Sequence, residues 1–234
     1  MKSREGSEET KRRAGEAAAE RVDDGDVVGL GTGSTAAHAI RALGRAVDAG
    51  LDVRGVPTSH GSRAIAREAG VPLTTLAEAT PDLAIDGADA VAWTDGRAVL
   101  LKGGGAAHAR EKYVDASASR FVVVVDDSKL ADALDGPVPV EVLPDAVPAV
   151  RDRVAALDGE ATLRAAERKD GPVVTDNGNL VLDCAFGRIA EPGSLAASLS
   201  ALPGVVEHGL FVDLADEVVV GSESGVERRP GRAE

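Results

Sequence analysis

The 234-residue sequence is poor in cysteine, aromatic residues and lysine, and each shortage excludes a class of protein. A single cysteine, Cys184, cannot form an internal disulfide or a Cys-x-x-Cys zinc or redox site. Because the chain has only five aromatic residues, we expect its 41 alanines and 30 valines to fill most of the core. Because no apolar run reaches roughly 18 residues and residues 1–13 are polar, we expect neither a membrane span nor a secretory signal, and hence a cytoplasmic protein.

Positive charge is also scarce. The 26 basic residues face 39 acidic ones, for a net charge of -13, and this balance argues against a nucleic-acid partner. Twenty of the basic residues are arginine, and 22 aspartates outnumber 17 glutamates. Such a composition is typical of halophilic proteins, because salt near 1 M shortens the Debye length to about 3 Å and screens self-repulsion. A GC-rich genome, which favours Arg and Ala codons, is the alternative explanation.

Apolar runs alternate with helical patterns over the first half of the chain. We predict helices over 8–22, 36–49, 59–69 and 107–117, and strands over 26–30, 52–56, 83–85, 99–101 and 121–125. Repeated strand–loop–helix units favour a parallel sheet covered on both faces. The predicted fold class is therefore α/β, with a Rossmann-like parallel-sheet domain.

The pattern changes near Gly136. Strands predicted over 138–142, 161–164, within 173–186 and over 205–211 enclose helices over 146–157 and 195–202, in the βαββαβ order of a ferredoxin-like unit. Val218–Val220 is expected to return to the first sheet as its final strand. We thus predict a large domain over residues 1–132 plus 212–234, and a smaller inserted α+β domain over 133–211.

The first candidate site is the glycine-rich turn Gly31-Thr32-Gly33-Ser34-Thr35, between a strand and a helix. Backbone N–H groups at a helix N-terminus attract anions, and the hydroxyl groups add donors. A phosphate site without a nucleotide is the favoured interpretation. The spacing Gly31-x-Gly33-x-x-Ala36, with Asp52 about 20 residues on, also fits a dinucleotide site. A simple capped turn is the third possibility.

Two further motifs follow predicted strands. Asp86-Gly87-Ala88-Asp89 offers two carboxylates that can bind hydroxyls or move protons, or can simply be a solvated turn. Lys102-Gly103-Gly104-Gly105 allows a close backbone approach to a ligand, and Glu111 on the next helix can point back to it. Lys129 again follows a strand. The charges of 110–112 also suit an ordinary exposed helix face.

Other chemistry is not indicated. The four histidines show no paired spacing, so no metal site is expected. Cys184 alternates within an apolar strand and is expected in the core, and no Gly-x-Ser-x-Gly elbow is present.

Together the motifs resemble the ribose-5-phosphate isomerases of type A. The matching stretches run in collinear order from about residue 10 to 226, and only their ordered set is specific. They are GLGTGSTA at 29–36, VPTS at 56–59, DGAD at 86–89, LKGGGAA at 101–107, REK at 110–112, DSK at 127–129, PVEVLP at 139–144, VTDNGN at 174–179 and PGVVEHGLF at 203–211.

The resemblance implies interconversion of ribose 5-phosphate and ribulose 5-phosphate through an enediolate, in the non-oxidative pentose phosphate pathway and without metal or other cofactor. It makes Glu111 the general base, and it assigns Asp86, Asp89 and Lys102 to ring opening and to the developing oxyanion. The implied substrate-binding residues are Lys11, Thr32, Gly33, Ser34, Thr35, Asp86, Gly87, Ala88, Asp89, Lys102, Gly103, Gly104, Gly105 and Lys129. The resemblance also implies a homodimer or homotetramer, with the apolar surface of the small domain as a contact.

The sequence departs from the family pattern at a few positions. Ala90 replaces a usually acidic residue, the loop from 90 to 101 is slightly long, and His60 and His108 stand where apolar or neutral residues are usual. A related sugar-phosphate enzyme or a sugar-phosphate sensor domain of the same fold is the alternative function.

Overall fold

The computed structural model describes residues 6–168 and 170–232. Its helices are α1 (Glu8–Ala19), α2 (Ser34–Asp48), α3 (His60–Glu68), α4 (His108–Ser117), α5 (Val147–Ala155) and α6 (Pro192–Ser200). Its strands are β1 (Val27–Leu30), β2 (Arg54–Pro57), β3 (Leu83–Gly87), β4 (Ala90–Thr94), β5 (Arg97–Leu101), β6 (Arg120–Asp126), β7 (Val138–Val142), β8 (Glu160–Leu163), β9 (Leu180–Ala185), β10 (Val205–His208), β11 (Leu210–Val212), β12 (Glu217–Ser222) and β13 (Gly225–Pro230).

The largest sheet has the strand order β13-β12-β6-β3-β1-β2 and is parallel from β12 to β2. Its central strand β6 contains the run Phe121–Val125, which is buried on both faces, as a parallel strand between layers must be. This arrangement confirms the α/β fold class. Because β1, β3 and β6 are parallel neighbours, their carboxyl ends lie side by side at one edge, where such sheets bind ligands.

The second half of the chain forms a four-stranded antiparallel sheet in the order β10-β7-β9-β8. The chain order is β7-α5-β8-β9-α6-β10, so the predicted βαββαβ arrangement is confirmed. The domain limits at 133 and 211 stay predictions, and the second of them falls inside β11.

A three-stranded antiparallel sheet, β11-β5-β4, corrects the prediction for residues 99–101. The expected strand exists as β5, but it does not belong to the parallel sheet. Residues 90–94, which were assigned to a loop, form its hairpin partner β4. The turn Asp95-Gly96 has positive φ at both residues, the geometry of a tight two-residue hairpin.

Two other details differ from the predictions. The single strand expected over 205–211 is broken at Gly209 into β10 and β11, which join different sheets. The final strand is not 218–220, because β13 pairs antiparallel with β12 beyond it. The described helices include none that is long and apolar enough to cross a membrane.

Candidate active site

A cleft of about 260 Å³ opens at the carboxyl edge of the parallel sheet. Its walls come from three of the predicted motifs, from α4 and from the two lysines at 11 and 129. The residues that line it are Lys11, Thr32, Gly33, Ser34, Thr35, Gly87, Ala88, Asp89, Lys102, Gly103, Gly104, Gly105, Glu111 and Lys129. The structure thus brings together every site residue predicted from the sequence except Asp86, which lies fully buried behind the wall.

The turn between β1 and α2 forms one end of the cleft. Gly33 precedes α2 with φ of +112°, a conformation that favours glycine, and among the described residues no side chain caps this helix. The N–H groups of the first turn of α2 therefore remain available to an anion. With the hydroxyls of Ser34 and Thr35 and the nearby Lys11 and Lys129, they suit a phosphate group.

Glycine is also needed at position 31 of the same turn. A Cβ atom there would overlap the Asp86 carboxyl. Asp86 Oδ1 accepts hydrogen bonds from the N–H groups of Thr32, at 3.0 Å, and Gly87, at 2.6 Å. The glycine-rich turn therefore does two things, since it exposes N–H groups to the cleft and fixes a buried carboxylate beneath it.

The floor of the cleft holds a buried ammonium group shared by acidic side chains. Lys102 Nζ lies 3.0 Å from Asp86 Oδ2 and 3.4 Å from Glu111 Oε2, and it donates a hydrogen bond to the Gly87 carbonyl. Asp86, Lys102 and Glu111 are all at most 5% exposed. Because Lys102 follows β5 and Asp86 lies on β3, the ion pair between them joins the small antiparallel sheet to the parallel one.

Burial and neighbouring charges set the protonation of these groups. Burial, and then the charge of Asp86, raises the pKa of Glu111 to about 8, although Lys102 opposes the rise. Burial alone would lower the pKa of Lys102, but the negative charges around it outweigh this effect, so the pKa lies above its ordinary value. Lys102 thus remains a cation, while Glu111 can release and accept a proton near neutral pH.

Asp89 lies at the exposed mouth of the cleft. Its Oδ2 accepts a hydrogen bond of 2.7 Å from the Gly104 N–H, which fixes the carboxylate against the glycine turn. The turn is supported from behind by Arg164, whose Nη1 donates to the carbonyls of Gly103 (2.8 Å) and Gly104 (3.2 Å). Arg164 is itself paired with Asp183 on β9. The sequence offered no signal for Arg164, because this contact crosses between distant segments.

Two more buried residues on α4 adjoin the site and were not predicted to belong to it. Asp115 lies one turn beyond Glu111 and is 2% exposed. Its spacing of four residues from Glu111 was a signal, since such residues share a helix face. His108 is fully buried beside Gly103, and both its ring nitrogens lack a hydrogen-bond partner among residues 6–168 and 170–232. Burial lowers the pKa of His108 to about 3, so the ring is neutral.

The geometry also bears on the alternatives considered for this site. Asp52 does not line the cleft, so the acidic residue that a dinucleotide site needs for the ribose hydroxyls is missing from it. Across the described part of the chain, no group of three or more His, Cys, Asp or Glu side chains is placed to hold a metal ion. The site fits a small, phosphorylated molecule with hydroxyl groups.

Comparison with known proteins agrees with this site. The sequence profile described as ribose 5-phosphate isomerase A (phosphoriboisomerase A) matches residues 54–225. Ribose-5-phosphate isomerase A of Natronomonas pharaonis is 69% identical over 229 residues, which cover 98% of this chain and 100% of the relative.

Solved structures give the same result. The ribose 5-phosphate isomerase A of Methanocaldococcus jannaschii superposes with a TM-score of 0.92 at 44% identity, covering 96% of this chain and 100% of the other. A D-ribose-5-phosphate isomerase in complex with phospho-erythronic acid superposes with a TM-score of 0.92 at 41% identity, covering 96% and 99%. The chain therefore belongs to the ribose 5-phosphate isomerase A family.

Proposed function

We propose that this protein interconverts ribose 5-phosphate and ribulose 5-phosphate. The observation that carries the proposal is the buried Lys102 ammonium, placed between Asp86 and Glu111 at the floor of a cleft whose far end suits a phosphate. An aldose–ketose isomerase needs this pair of features. One group must carry a proton between C2 and C1, and a fixed positive charge must stabilise the enediolate oxygen.

Substrate binding begins at the turn between β1 and α2. The phosphate would accept hydrogen bonds from the N–H groups of the first turn of α2 and from Ser34 and Thr35, and it would pair with Lys11 and Lys129. Since the protein carries a net charge of -13, these two lysines must attract a phosphate dianion locally, against the overall field. The sugar then extends toward Lys102 along the glycine turn.

The proton transfers follow from the side chains at the other end. Asp89, at the cleft mouth, is placed to accept the O1 hydroxyl proton as the C1–O4 bond of the furanose ring breaks, and to return that proton to O4. Glu111 takes the C2 proton while negative charge develops on the carbonyl oxygen at C1, beside Lys102. The O2 hydroxyl proton moves to O1, and Glu111 returns its proton to C1. The products are a carbonyl at C2 and a hydroxyl at C1, so atoms and charge balance.

Asp86 has a different role from the one implied by the family resemblance. It is fully buried, its Oδ1 accepts two backbone N–H bonds, and its Oδ2 faces Lys102. It therefore has no path to the sugar hydroxyls. We assign it to holding the Lys102 ammonium in place and leave ring opening to Asp89.

The related complex with phospho-erythronic acid supports the chemistry. This ligand is a four-carbon acid phosphate, whose planar carboxylate has the charge and shape of an enediolate. A protein that binds it must offer a cation at that end and a phosphate site at the other. Lys102 and the turn at 31–35 provide both features here.

The cellular setting is a further part of the proposal. We infer a cytoplasmic enzyme adapted to high salt, which is supported by the excess of acidic residues and by the relative from the halophilic Natronomonas pharaonis. We also infer a homodimer or homotetramer. Leu143, Val174 and Val206 expose large apolar side chains near the four-stranded sheet, and such side chains suit a contact between copies.

The direct test is conversion of ribose 5-phosphate to ribulose 5-phosphate by the purified protein, with EDTA present, in dilute buffer and in molar salt. We expect turnover in both the forward and the reverse direction, with higher activity at high salt. Tight binding of ribose 5-phosphate without turnover under both conditions would instead indicate a sugar-phosphate sensor domain.

A further inference from the structure

The acidic cluster beneath the cleft contains a carboxyl group for which the proposed reaction has no use. Asp115 follows Glu111 by four residues on α4, so both side chains lie on the same face of the helix. Asp115 is 2% exposed and does not line the cleft, so it cannot touch the sugar. Burying a third acidic group beside Asp86 and Glu111 is costly unless it has a purpose or a partner.

Hydrogen bonding shows what this cluster lacks. Asp86 Oδ1 accepts two backbone N–H groups and Asp86 Oδ2 lies 3.0 Å from the Lys102 ammonium, but both oxygens of Asp115 have no donor among the residues that the structure describes. The Asp115 and Asp86 carboxyls lie within hydrogen-bond reach of each other. Two ionised carboxylates can only accept, and they repel each other. A single proton on Asp115 removes the repulsion and supplies a donor between the two carboxyl groups.

The charges that face Asp115 identify which carboxyl holds that proton. Asp86 faces it from β3, Lys102 from the end of β5, and Glu111 from its own helix. Burial, and then the negative charge of Asp86, raises the pKa of Asp115 well above its ordinary value. Burial raises the pKa of Asp86 too, but the ammonium 3.0 Å away and two N–H donors oppose this rise, so Asp86 keeps the ionised form better than Asp115.

The other elements packed against α4 do not change this balance. β6 contributes the apolar run 121–125. β10 contributes Glu207 and His208, and both of these contact Lys112. The charges near Asp115 are therefore those of the cluster itself.

We propose that Asp115 is a positioning residue, held as the neutral acid at pH 7, whose carboxyl O–H donates to Asp86 Oδ2 and so fixes the carboxylate that holds Lys102. This inference rests on the proposed isomerase function. The neutral form has a second effect, since it adds no negative charge beside Glu111. Ionisation of Glu111 during proton transfer is therefore opposed by the carboxylates of Asp86 and Asp89, but not by a third one at Asp115.

Two substitutions separate the neutral donor from the charge. Asp115→Asn keeps the shape and can donate Nδ2–H to Asp86 Oδ2, but it is neutral at every pH. Asp115→Ala removes the donor. We expect kcat of D115N to stay within about threefold of the wild type, and kcat of D115A to fall about five- to tenfold with little change in KM, the typical effect of one lost buried hydrogen bond. The exposed Asp48→Asn on α2 is the matched control and should leave both constants unchanged.

Infrared spectroscopy tests the proton itself, independently of activity. In protein labelled with ¹³C-aspartate, the wild-type minus D115N difference spectrum at pH 7 should contain the C=O stretch of a protonated aspartic acid. The absence of this band would overturn the inference even if the isomerase is fully active. A wild-type protein that shows the band but does not isomerise ribose 5-phosphate would refute the proposed function instead.

The kinetic outcomes are equally decisive. If D115N loses as much activity as D115A, the anion rather than the neutral acid is required, and the inference is wrong. If D115A retains the kcat of the wild type, Asp115 does not position the site. Should D115A fail to fold, which thermal unfolding would show, the D115N kinetics and the infrared band still decide the question.

Discussion

Replacing Glu111 with glutamine gives a prediction whose size depends on pH. The pKa of Glu111 is about 8, because the side chain is buried next to Asp86. A general base works only when ionised, and kcat/KM reports the free enzyme. From the definition of pKa, about a tenth of the protein has an active base at pH 7, about a hundredth at pH 6, and most of it at pH 9.

The glutamine variant keeps the size of the side chain but can no longer accept a proton. At pH 9 we expect kcat/KM for ribose 5-phosphate to fall by roughly 10²–10⁴-fold, the usual contribution of general-base catalysis. At pH 6 most of the wild type is already inactive. The ratio of wild type to E111Q should therefore shrink by about 100-fold between pH 9 and pH 6.

Initial rates of ribulose 5-phosphate formation across this pH range measure both quantities. Glu68→Gln, at the exposed end of α3, is the matched control and should follow the wild-type profile. Near-normal activity of E111Q would remove Glu111 from the reaction. A wild-type profile that is flat between pH 6 and pH 9 would show that burial does not set the ionisation of the base as reasoned.

Four further results are expected. Lys129→Ala should raise KM about tenfold or more with a smaller change in kcat, because it removes a cation from the phosphate end; equal constants would refute that assignment. Arg164→Met should lower kcat several-fold by freeing the carbonyls of Gly103 and Gly104, whereas unchanged kinetics would show that the glycine turn supports itself. Because the pKa of Glu111 is raised in the folded protein, its protonated side chain adds stability that is fully present below about pH 4.5 and is lost as the pH rises through 8. The glutamine of E111Q cannot ionise, so this variant should unfold several degrees above the wild type at pH 9 but not at pH 4.5. Thermal unfolding should also shift upward between dilute buffer and molar salt, because salt screens the net charge of -13; greatest stability in dilute buffer would contradict the halophilic interpretation.

The parallel sheet and most of the cleft could be predicted from the sequence, because the relevant signals are local. Each of β1, β3 and β6 is an apolar run that ends at a polar or glycine-rich motif, and parallel strands bring those ends together. The same kind of signal predicts β5 in the parallel sheet, but β5 lies in the antiparallel sheet β11-β5-β4. A short apolar run shows that a strand exists but not which strand it pairs with.

The missed hairpin strand β4 had a usable signal. Asp95-Gly96 stands between two short runs with strand residues, and this dipeptide is a strong hairpin indicator. The roles of Asp86 and Arg164 had no comparable signal, and the spacing of Asp115 from Glu111 indicates only that the two share a helix face. Whether a carboxylate faces the cleft or lies behind it depends on packing between segments, as does the contact of Arg164 with a turn some 60 residues away.

The central claim is that a proton removed from C2 is returned to C1 through an enediolate, with Glu111 as its carrier. Equilibrating ribose 5-phosphate with the enzyme in deuterium oxide, with EDTA present, tests this by NMR. We expect deuterium at C2 of ribose 5-phosphate and at C1 of ribulose 5-phosphate, and no exchange over the same period with E111Q. Deuterium entering these positions with E111Q at the wild-type rate would contradict this claim, because a group other than Glu111 would then carry the proton.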